Sequence, residues 1–174
     1  ASIRRSYANF VDAMREFAVT TDSLTVGHLR AASAQMAAEG VIDSAGLNPA
    51  REQRFRDLLD QLSWTRLCLS NWIATGKPTQ EQRSEVARTL ENVGLLLQHG
   101  RARRSATTGQ IARPLGDVSP THTDPAWVTL VSQIEQLQRA AFEFTAHSRN
   151  IREGTGAKAA SRRRVDRAAA AAVR

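Results

Sequence analysis

The chain has 174 residues, of which 41% are hydrophobic, 24% are charged and 5% are aromatic, and its formal net charge is +7 at pH 7. This length and apolar content exclude a chain that is disordered throughout and allow one domain with a buried core. A single cysteine excludes a disulfide scaffold, and no apolar run approaches the roughly 18 residues that a membrane span needs, so we expect a soluble protein from a reducing compartment.

The pattern of apolar residues in the first part of the chain predicts helices, because these residues recur at the helical period and no strand alternation is present. One face of the first helix carries Tyr7, Phe10, Val11, Met14, Phe17 and Ala18. A second helix is predicted from about Thr25 to Glu39, with Gly40 as its stop. The inner face of this helix is predicted to hold Leu29, Ala32 and Met36.

Asn48-Pro49 predicts the start of a third helix, since Asn is a favoured N-cap and Pro suits the first helical position. This helix should end near Gly76. Its inner face is predicted to carry Phe55, Leu58, Leu59, Leu62, Leu69 and Ile73. Further apolar residues surround the axis of its second half, which predicts that this half is the central buried helix. They are Trp64, Leu67, Cys68 and Trp72, and Cys68 is expected to be a small buried hydrophobe.

Thr79 with Gln82 fits a capping box and opens a fourth helix that stops at Gly100. This helix places Val86, Leu90, Val93 and Leu97 in line. A long basic loop over residues 101–124 follows, and Asp124-Pro125 begins a fifth helix. The inner face of the fifth helix is predicted to hold Trp127, Leu130, Val131, Ile134, Leu137, Ala141 and Phe144.

The pattern as a whole predicts an all-α fold, a helical bundle of about five helices. Residues 1–153 should form the helical core domain, with the loop 101–124 inside it. Gly154 and Gly156 break the fifth helix, and residues 154–174 should form an extended or helical basic C-terminal arm rich in alanine and arginine.

The net charge lies entirely in the last part of the chain. Residues 1–100 contain ten arginines and Lys77 against eleven acidic residues, a net charge of zero, whereas residues 101–174 contain twelve arginines and Lys158 against six, a net charge of +7. A GC-rich coding sequence accounts for the scarcity of lysine but not for this clustering. The asymmetry predicts a neutral body with a basic region for an anionic partner.

Two arginine-rich segments flank the fifth helix and contain few acidic residues. A solvated surface is the commoner meaning of such runs, but several arginines that neutralise phosphates also give sequence-independent affinity through counterion release. The candidate phosphate contacts are Arg101, Arg103, Arg104 and Arg113 in the loop, and Arg149, Arg152, Arg162, Arg163, Arg164 and Arg167 after the fifth helix.

Three charged residues interrupt apolar helix faces. Arg66 falls on the apolar seam of the third helix, Arg56 follows Phe55, and Glu143 separates two phenylalanines of the fifth helix. Each could simply face water. The sharper hypothesis is that Glu143 pairs with Arg56 or Arg66 across two helices, because a buried charge without a partner is costly. We predict this pair, and we predict that it shapes a groove for phosphate.

The segment "AAFEF" at 140–144, followed by a basic, alanine-rich C-terminal segment, resembles the coat proteins of flexible filamentous plant viruses of the potyvirus and potexvirus type, which carry an "AFDF" motif. The segment "RFRDLLDQLSWTRLCLSNWIATGKP" at 54–78 is similar to the long core helix of that family. The resemblance implies that Arg56 and Glu143 line a groove that holds single-stranded RNA.

No catalytic or metal-binding pattern is present, since the four histidines have no second ligand at metal spacing. We therefore expect a non-enzymatic coat or nucleoprotein subunit without cofactor or metal. Its expected partners are single-stranded nucleic acid, RNA in preference to DNA, and further copies of itself in a helical filament, in a virion or the cytoplasm of a host cell.

The alternative is a non-viral helical-bundle adaptor, or a DNA-associated accessory protein of a GC-rich bacterium or phage. Residues 23–40 offer a loose helix-turn-helix pattern in its favour. An enzyme is the third possibility, and no sequence feature favours it.

Overall fold

The computed structural model of the chain describes residues 2–20, 24–99 and 124–146. They form α1 (Ile3–Val19), α2 (Leu24–Asp43), α3 (Pro49–Thr75), α4 (Gln80–His99) and α5 (125–146). About 90% of these described residues are helical and none lies in a strand, which confirms the all-α bundle. The boundary between the core domain and the arm at 153–154, the arm itself, and the basic loop apart from its last residue lie outside the described residues.

Side chains cap the helices where the sequence predicts them to begin. The Asn48 Oδ1 atom accepts a hydrogen bond from the backbone N–H of Arg51 at 2.9 Å. The backbone N–H of Thr79 donates to Gln82 Oε1 at 3.0 Å, and the N–H of Gln82 donates to the Thr79 hydroxyl at 3.2 Å. Asp124 Oδ1 accepts from the N–H two residues later at 3.0 Å. Each cap satisfies backbone N–H groups that the first helical turn leaves without a partner.

The central helix of the bundle is α1. It packs against α2, α3 and α4, and the ring of Tyr7 also contacts Phe144 of α5. Its predicted inner face is confirmed in full, because every one of the six residues is buried: Tyr7, Phe10, Val11, Met14, Phe17 and Ala18. A helix with neighbours on several sides buries much of its apolar surface, and stability follows the apolar area removed from water.

The predicted inner faces of α3, α4 and α5 are also confirmed in the main. The buried residues include Phe55, Leu58, Leu59, Leu62, Leu69 and Ile73 of α3, Val86, Leu90, Val93 and Leu97 of α4, and Trp127, Leu130, Ile134, Leu137 and Ala141 of α5. Val131 and Phe144 are partly buried against them.

The second half of α3 is not the central buried helix, so this prediction is wrong. Trp72 is buried, but Trp64 is 58% exposed and Leu67 is 46% exposed. Cys68 is half-buried, and burial raises the pKa of its thiol. The reason is that the neighbours of α3 cover its inner face and flanks and leave its outer face in solvent.

The inner face of α2 also differs from the prediction. Leu29 is 60% exposed and Met36 is 70% exposed. Small residues take the inner positions instead, together with one isoleucine: Gly27, Ala31, Ala38 and Ile42. The cause is a close approach of α2 to α1, since a Cβ atom at Gly27 would lie 2.6 Å from Cδ2 of Phe17.

The end of α2 was predicted too early. Gly40 does not stop α2, which continues to Asp43. Residues 24–43 are one uninterrupted helix, so the helix-turn-helix pattern suggested for 23–40 is wrong.

The two glycines of α2 give a matched test of this packing. We expect Gly27→Ala to lower the free energy of unfolding by about 1–3 kcal/mol, because the added methyl group overpacks the buried ring of Phe17. Gly40→Ala meets no atom within 4 Å and should raise the free energy of unfolding by about 0.5–1 kcal/mol through helix propensity. Urea denaturation of both variants measures this difference, and a shift of both midpoints in the same direction would contradict the packing.

Candidate functional site

A groove of about 1080 Å³ runs between the N-terminal half of α3 and the C-terminal half of α5. Four arginines line it: Arg4, Arg51, Arg54 and Arg139. Its other lining groups include the carboxylates of Asp57 and Glu143, the amides of Asn48, Gln61 and Gln136, and the apolar side chains of Phe55, Leu58 and Phe144. We call this feature the arginine groove.

The antiparallel packing of α3 and α5 forms the groove. The rings of Trp72 and Trp127 lie 5.2 Å apart at one end of the helix pair. Along the same pair, Gln133 Nε2 donates to Gln61 Oε1 at 3.0 Å. On α3, Arg51 and Arg54 are three residues apart and therefore point to the same side of the helix.

Three aromatic rings form the closed end of this helix pair. The rings of Phe55 and Phe144 meet edge to face with centroids 5.1 Å apart, and the ring of Tyr7 contacts both. The buried hydroxyl of Tyr7 donates a hydrogen bond to the carbonyl oxygen of Phe55. This bond satisfies a polar group that would be costly to bury without a partner, so α1 is fixed to the α3–α5 pair at this point.

Two of the groove arginines lie over these rings. The Cζ atom of Arg51 is 6.0 Å from the centroid of Phe55, and the Cζ atom of Arg4 is 5.6 Å from the centroid of Phe144. Cation–π attraction of this kind restricts the guanidinium groups at the groove. Their N–H groups are suited to bidentate binding of a phosphate or carboxylate.

The positive charges of Arg51, Arg54 and Arg139 are largely available to a ligand. Arg54 is exposed, and no ion pair within the described residues involves Arg51 or Arg54. Arg139 contacts Glu135 at 3.9 Å, but both side chains are exposed and such pairs contribute little. Four arginines against the two carboxylates of the lining give the groove a net positive charge.

The predicted pairing of Glu143 with an arginine of α3 is wrong. Glu143 is exposed on the wall of the groove. Arg56 binds Glu52 and Asp43 instead, each at 2.8 Å, and the hydrogen bonds that its guanidinium donates, first to Glu52 and then to Asp43, raise its pKa. Arg66 is half-buried and its Nε donates to Gln35 Oε1 at 2.9 Å.

The physical reason is orientation, because Arg56 and Arg66 lie on the side of α3 that faces α2. Their contacts are with α2 and with α3 itself, whereas Glu143 belongs to the helix on the opposite flank. Neither arginine lines the groove, although Glu143 does.

The other predicted phosphate contacts lie outside the described residues, and their role stays a prediction. They are Arg101, Arg103, Arg104, Arg113, Arg149, Arg152, Arg162, Arg163, Arg164 and Arg167.

Sequence reasoning missed the four arginines of the groove. Residues 1–100 have no net charge, so the count drew attention to the later segments and away from Arg4, Arg51 and Arg54. The signal that was available is the four-residue spacing of Arg51 and Phe55, which places a cation beside an inward-facing ring.

Across residues 2–20, 24–99 and 124–146, no group of three or more His, Cys, Asp or Glu side chains is placed to hold a metal ion. In that part of the chain, no helix has both the length and the apolar character to cross a membrane.

Comparison with known proteins returned no match: no protein-family model, curated protein or solved structure is similar to this chain at a significant level.

Tyr7 is the only tyrosine, so its ionisation reports on the closed end of the groove. Burial raises the pKa of Tyr7 above its ordinary value of 10.0. Because the folded pKa exceeds the unfolded one, the stability contributed by the neutral phenol is fully present below the unfolded pKa and is lost as the pH rises through the folded pKa.

We expect the native protein to show no tyrosinate absorbance at a pH just above 10.0, and a little more than half of the full absorbance once urea unfolds it at the same pH. Ultraviolet titration with and without urea measures this. Titration of the folded protein near the ordinary tyrosine pKa would contradict the buried hydrogen bond between Tyr7 and Phe55.

Proposed function

We propose that this chain is a coat-type nucleoprotein subunit that binds single-stranded nucleic acid through arginine–phosphate contacts and assembles with further copies of itself into a filament. It acts as a structural binding protein and not as an enzyme. RNA is the preferred ligand, in a virion or the cytoplasm of a host cell, as the resemblance of residues 140–144 to filamentous plant virus coat proteins implies.

The observation that carries the proposal is the arginine groove. Its positive side chains come from three helices, α1, α3 and α5, and they line one groove. Several arginines along one path neutralise successive phosphates and release counterions, which gives affinity without base recognition.

The shape of the groove favours a single strand. The axes of two packed helices lie about 8–10 Å apart, so the depression between them has room for one sugar-phosphate backbone and not for a duplex. Phe55 at its base is only 8% exposed and offers little surface for base stacking. Recognition would therefore rest on the backbone, as in proteins that bind single strands without sequence preference.

The position of the groove in the chain also supports the proposal. Its α5 wall includes Glu143 and Phe144, and α5 is described as far as residue 146. In the sequence, Arg149 and Arg152 follow within six residues of that point, and the basic arm comes after them. Of the four groove arginines, Arg139 thus precedes Arg149 and Arg152 on the same stretch of sequence, whereas Arg4, Arg51 and Arg54 come from α1 and α3.

Paired arginine substitutions test the groove against a control of equal charge. Arg51→Gln with Arg139→Gln removes one cation from each wall, whereas Arg15→Gln with Arg88→Gln removes two arginines that pair with Asp12 and Glu85 elsewhere on the bundle. Both double variants lower the net charge by two.

We expect the groove variant to weaken binding of an oligouridine strand and to reduce the slope of log K against log salt by about 1.4, since each single-strand phosphate contact contributes about 0.7. The control variant should keep the slope of the parent protein. Fluorescence anisotropy across a salt series measures both, and equal slopes for the two variants would refute the groove as a phosphate path.

A further inference from the structure

The arginine groove also contains two carboxylates, which contacts to phosphate leave unexplained. Asp57 and Glu143 both line the groove and are exposed there. Each would repel a phosphate bound beside it, and the repulsion weakens binding unless the same ligand offers the carboxylate a favourable contact. The groove therefore calls for a ligand that carries more than phosphate.

Both carboxylates keep oxygen atoms free to accept a hydrogen bond. Within the part of the chain that the structure describes, the side chain of Glu143 takes part in no hydrogen bond and no ion pair. Asp57 Oδ1 accepts from Gln53 Nε2 at 2.7 Å. An ionised carboxylate has about four acceptor positions, so most of this capacity is available to a ligand.

Helical spacing places the charged groups of each wall in one row. Each row contains one arginine, one carboxylate and one amide, at intervals of three and four residues. The row on α3 is Arg54, Asp57 and Gln61, and the row on α5 is Gln136, Arg139 and Glu143. Side chains at these intervals are neighbours on one side of a helix, with Cβ atoms about 5–6 Å apart. On each wall, a guanidinium thus has a carboxylate one helical turn away.

The arginine and the carboxylate of each row do not neutralise each other. None of the ion pairs found in residues 2–20, 24–99 and 124–146 joins Arg54 to Asp57 or Arg139 to Glu143. In both rows the cation precedes the acid along the helix, which is the less favourable order for an ion pair within one helix. Each row therefore offers a ligand one cation and one hydrogen-bond acceptor side by side.

A ribonucleotide strand supplies the groups that match such a row. Every unit of the strand has an anionic phosphate for the guanidinium and a 2′-hydroxyl that can donate to the carboxylate. The 2′-hydroxyl is only a few covalent bonds from the phosphate groups on either side, so the two contacts fit one helical turn. A deoxyribonucleotide has the phosphate but lacks this hydroxyl, which is the group by which proteins distinguish RNA from DNA.

We propose that Asp57 and Glu143 accept hydrogen bonds from ribose 2′-hydroxyl groups of a strand bound in the arginine groove, and that these two carboxylates make the groove selective for RNA over DNA. The inference rests on the phosphate contacts of the proposed function and deepens them by naming the residues that distinguish the sugar. With a deoxyribose strand, the carboxylates meet C–H groups and only repel the neighbouring phosphates.

Three uridine strands of equal length test the role of the hydroxyl. They carry ribose, 2′-deoxyribose or 2′-fluororibose, and the fluoro strand keeps the sugar conformation of RNA but has no donor at this position. By fluorescence anisotropy at one salt concentration, the parent protein should bind the ribose strand ~10-fold more tightly than either of the others, because hydrogen bonds to a charged acceptor are lost with the hydroxyl.

A double variant assigns this preference to the two carboxylates. Asp57→Ala with Glu143→Ala should bind the ribose and deoxyribose strands within ~2-fold of each other, because both acceptors are gone. Glu81→Ala with Glu91→Ala is the control, since both residues are exposed on α4 and neither lines the groove. Both double variants raise the net charge by two, so the control should keep the ~10-fold preference of the parent. Circular dichroism checks that each variant remains helical.

The ratio of the two affinities separates failure of this inference from failure of the proposed function. Equal binding of the ribose and deoxyribose strands by the parent overturns the inference and leaves the phosphate contacts standing. A groove variant that keeps the preference, a control that loses it, or a fluoro strand that binds like the ribose strand overturns it as well. If the parent binds none of the strands at low salt, the proposed function fails and the inference fails with it.

A free nucleotide tests whether the groove binds a strand. Uridine 5′-monophosphate offers one phosphate and one 2′-hydroxyl, whereas a strand offers several of each. The strand should remain bound when an equal concentration of this nucleotide is added. Its displacement would assign the groove to a free ribonucleotide and overturn the inference.

Discussion

The contact of Tyr7, Phe55 and Phe144 is the constraint on which the rest of the structure depends. These rings join α1, α3 and α5 at one end of the bundle, and the buried Tyr7 hydroxyl donates to the backbone of α3. Loss of one such ring costs about 3–5 kcal/mol, a large share of the roughly 5–15 kcal/mol that holds a domain folded. The arginine groove exists because this contact fixes the angle at which α3 and α5 meet.

The features that the sequence predicted well are set locally. The caps at Asn48, Thr79 and Asp124 depend on residues within three positions of each other, and the apolar faces of α1 and α4 depend only on helical period. The inner face of α2 was missed because it is chosen by the fit of Gly27 against Phe17 on another helix. A hydrophobicity pattern favours Leu29 and Met36 for the core and carries no information on how closely two helices approach.

The candidate site was missed for a similar reason. Arg51 and Arg139 are far apart in sequence and become neighbours only when α3 and α5 pack antiparallel. Arg56 was placed in the groove by its position next to Phe55, yet one residue turns a helical side chain by about 100°, and Arg56 points to the acidic end of α2. Summing charge over a hundred residues concealed the local surplus, because ion pairs elsewhere on the bundle balanced it.

Protection of individual arginines from chemical modification tests the proposed phosphate contacts most directly. The protein is treated with phenylglyoxal with and without a single-stranded oligonucleotide, and modified peptides are quantified by mass spectrometry. The account predicts that the nucleic acid protects Arg51, Arg54 and Arg139 of the groove, while Arg15 and Arg88 react at the same rate in both samples. Equal protection of all five arginines, or no protection of the three in the groove, would contradict it.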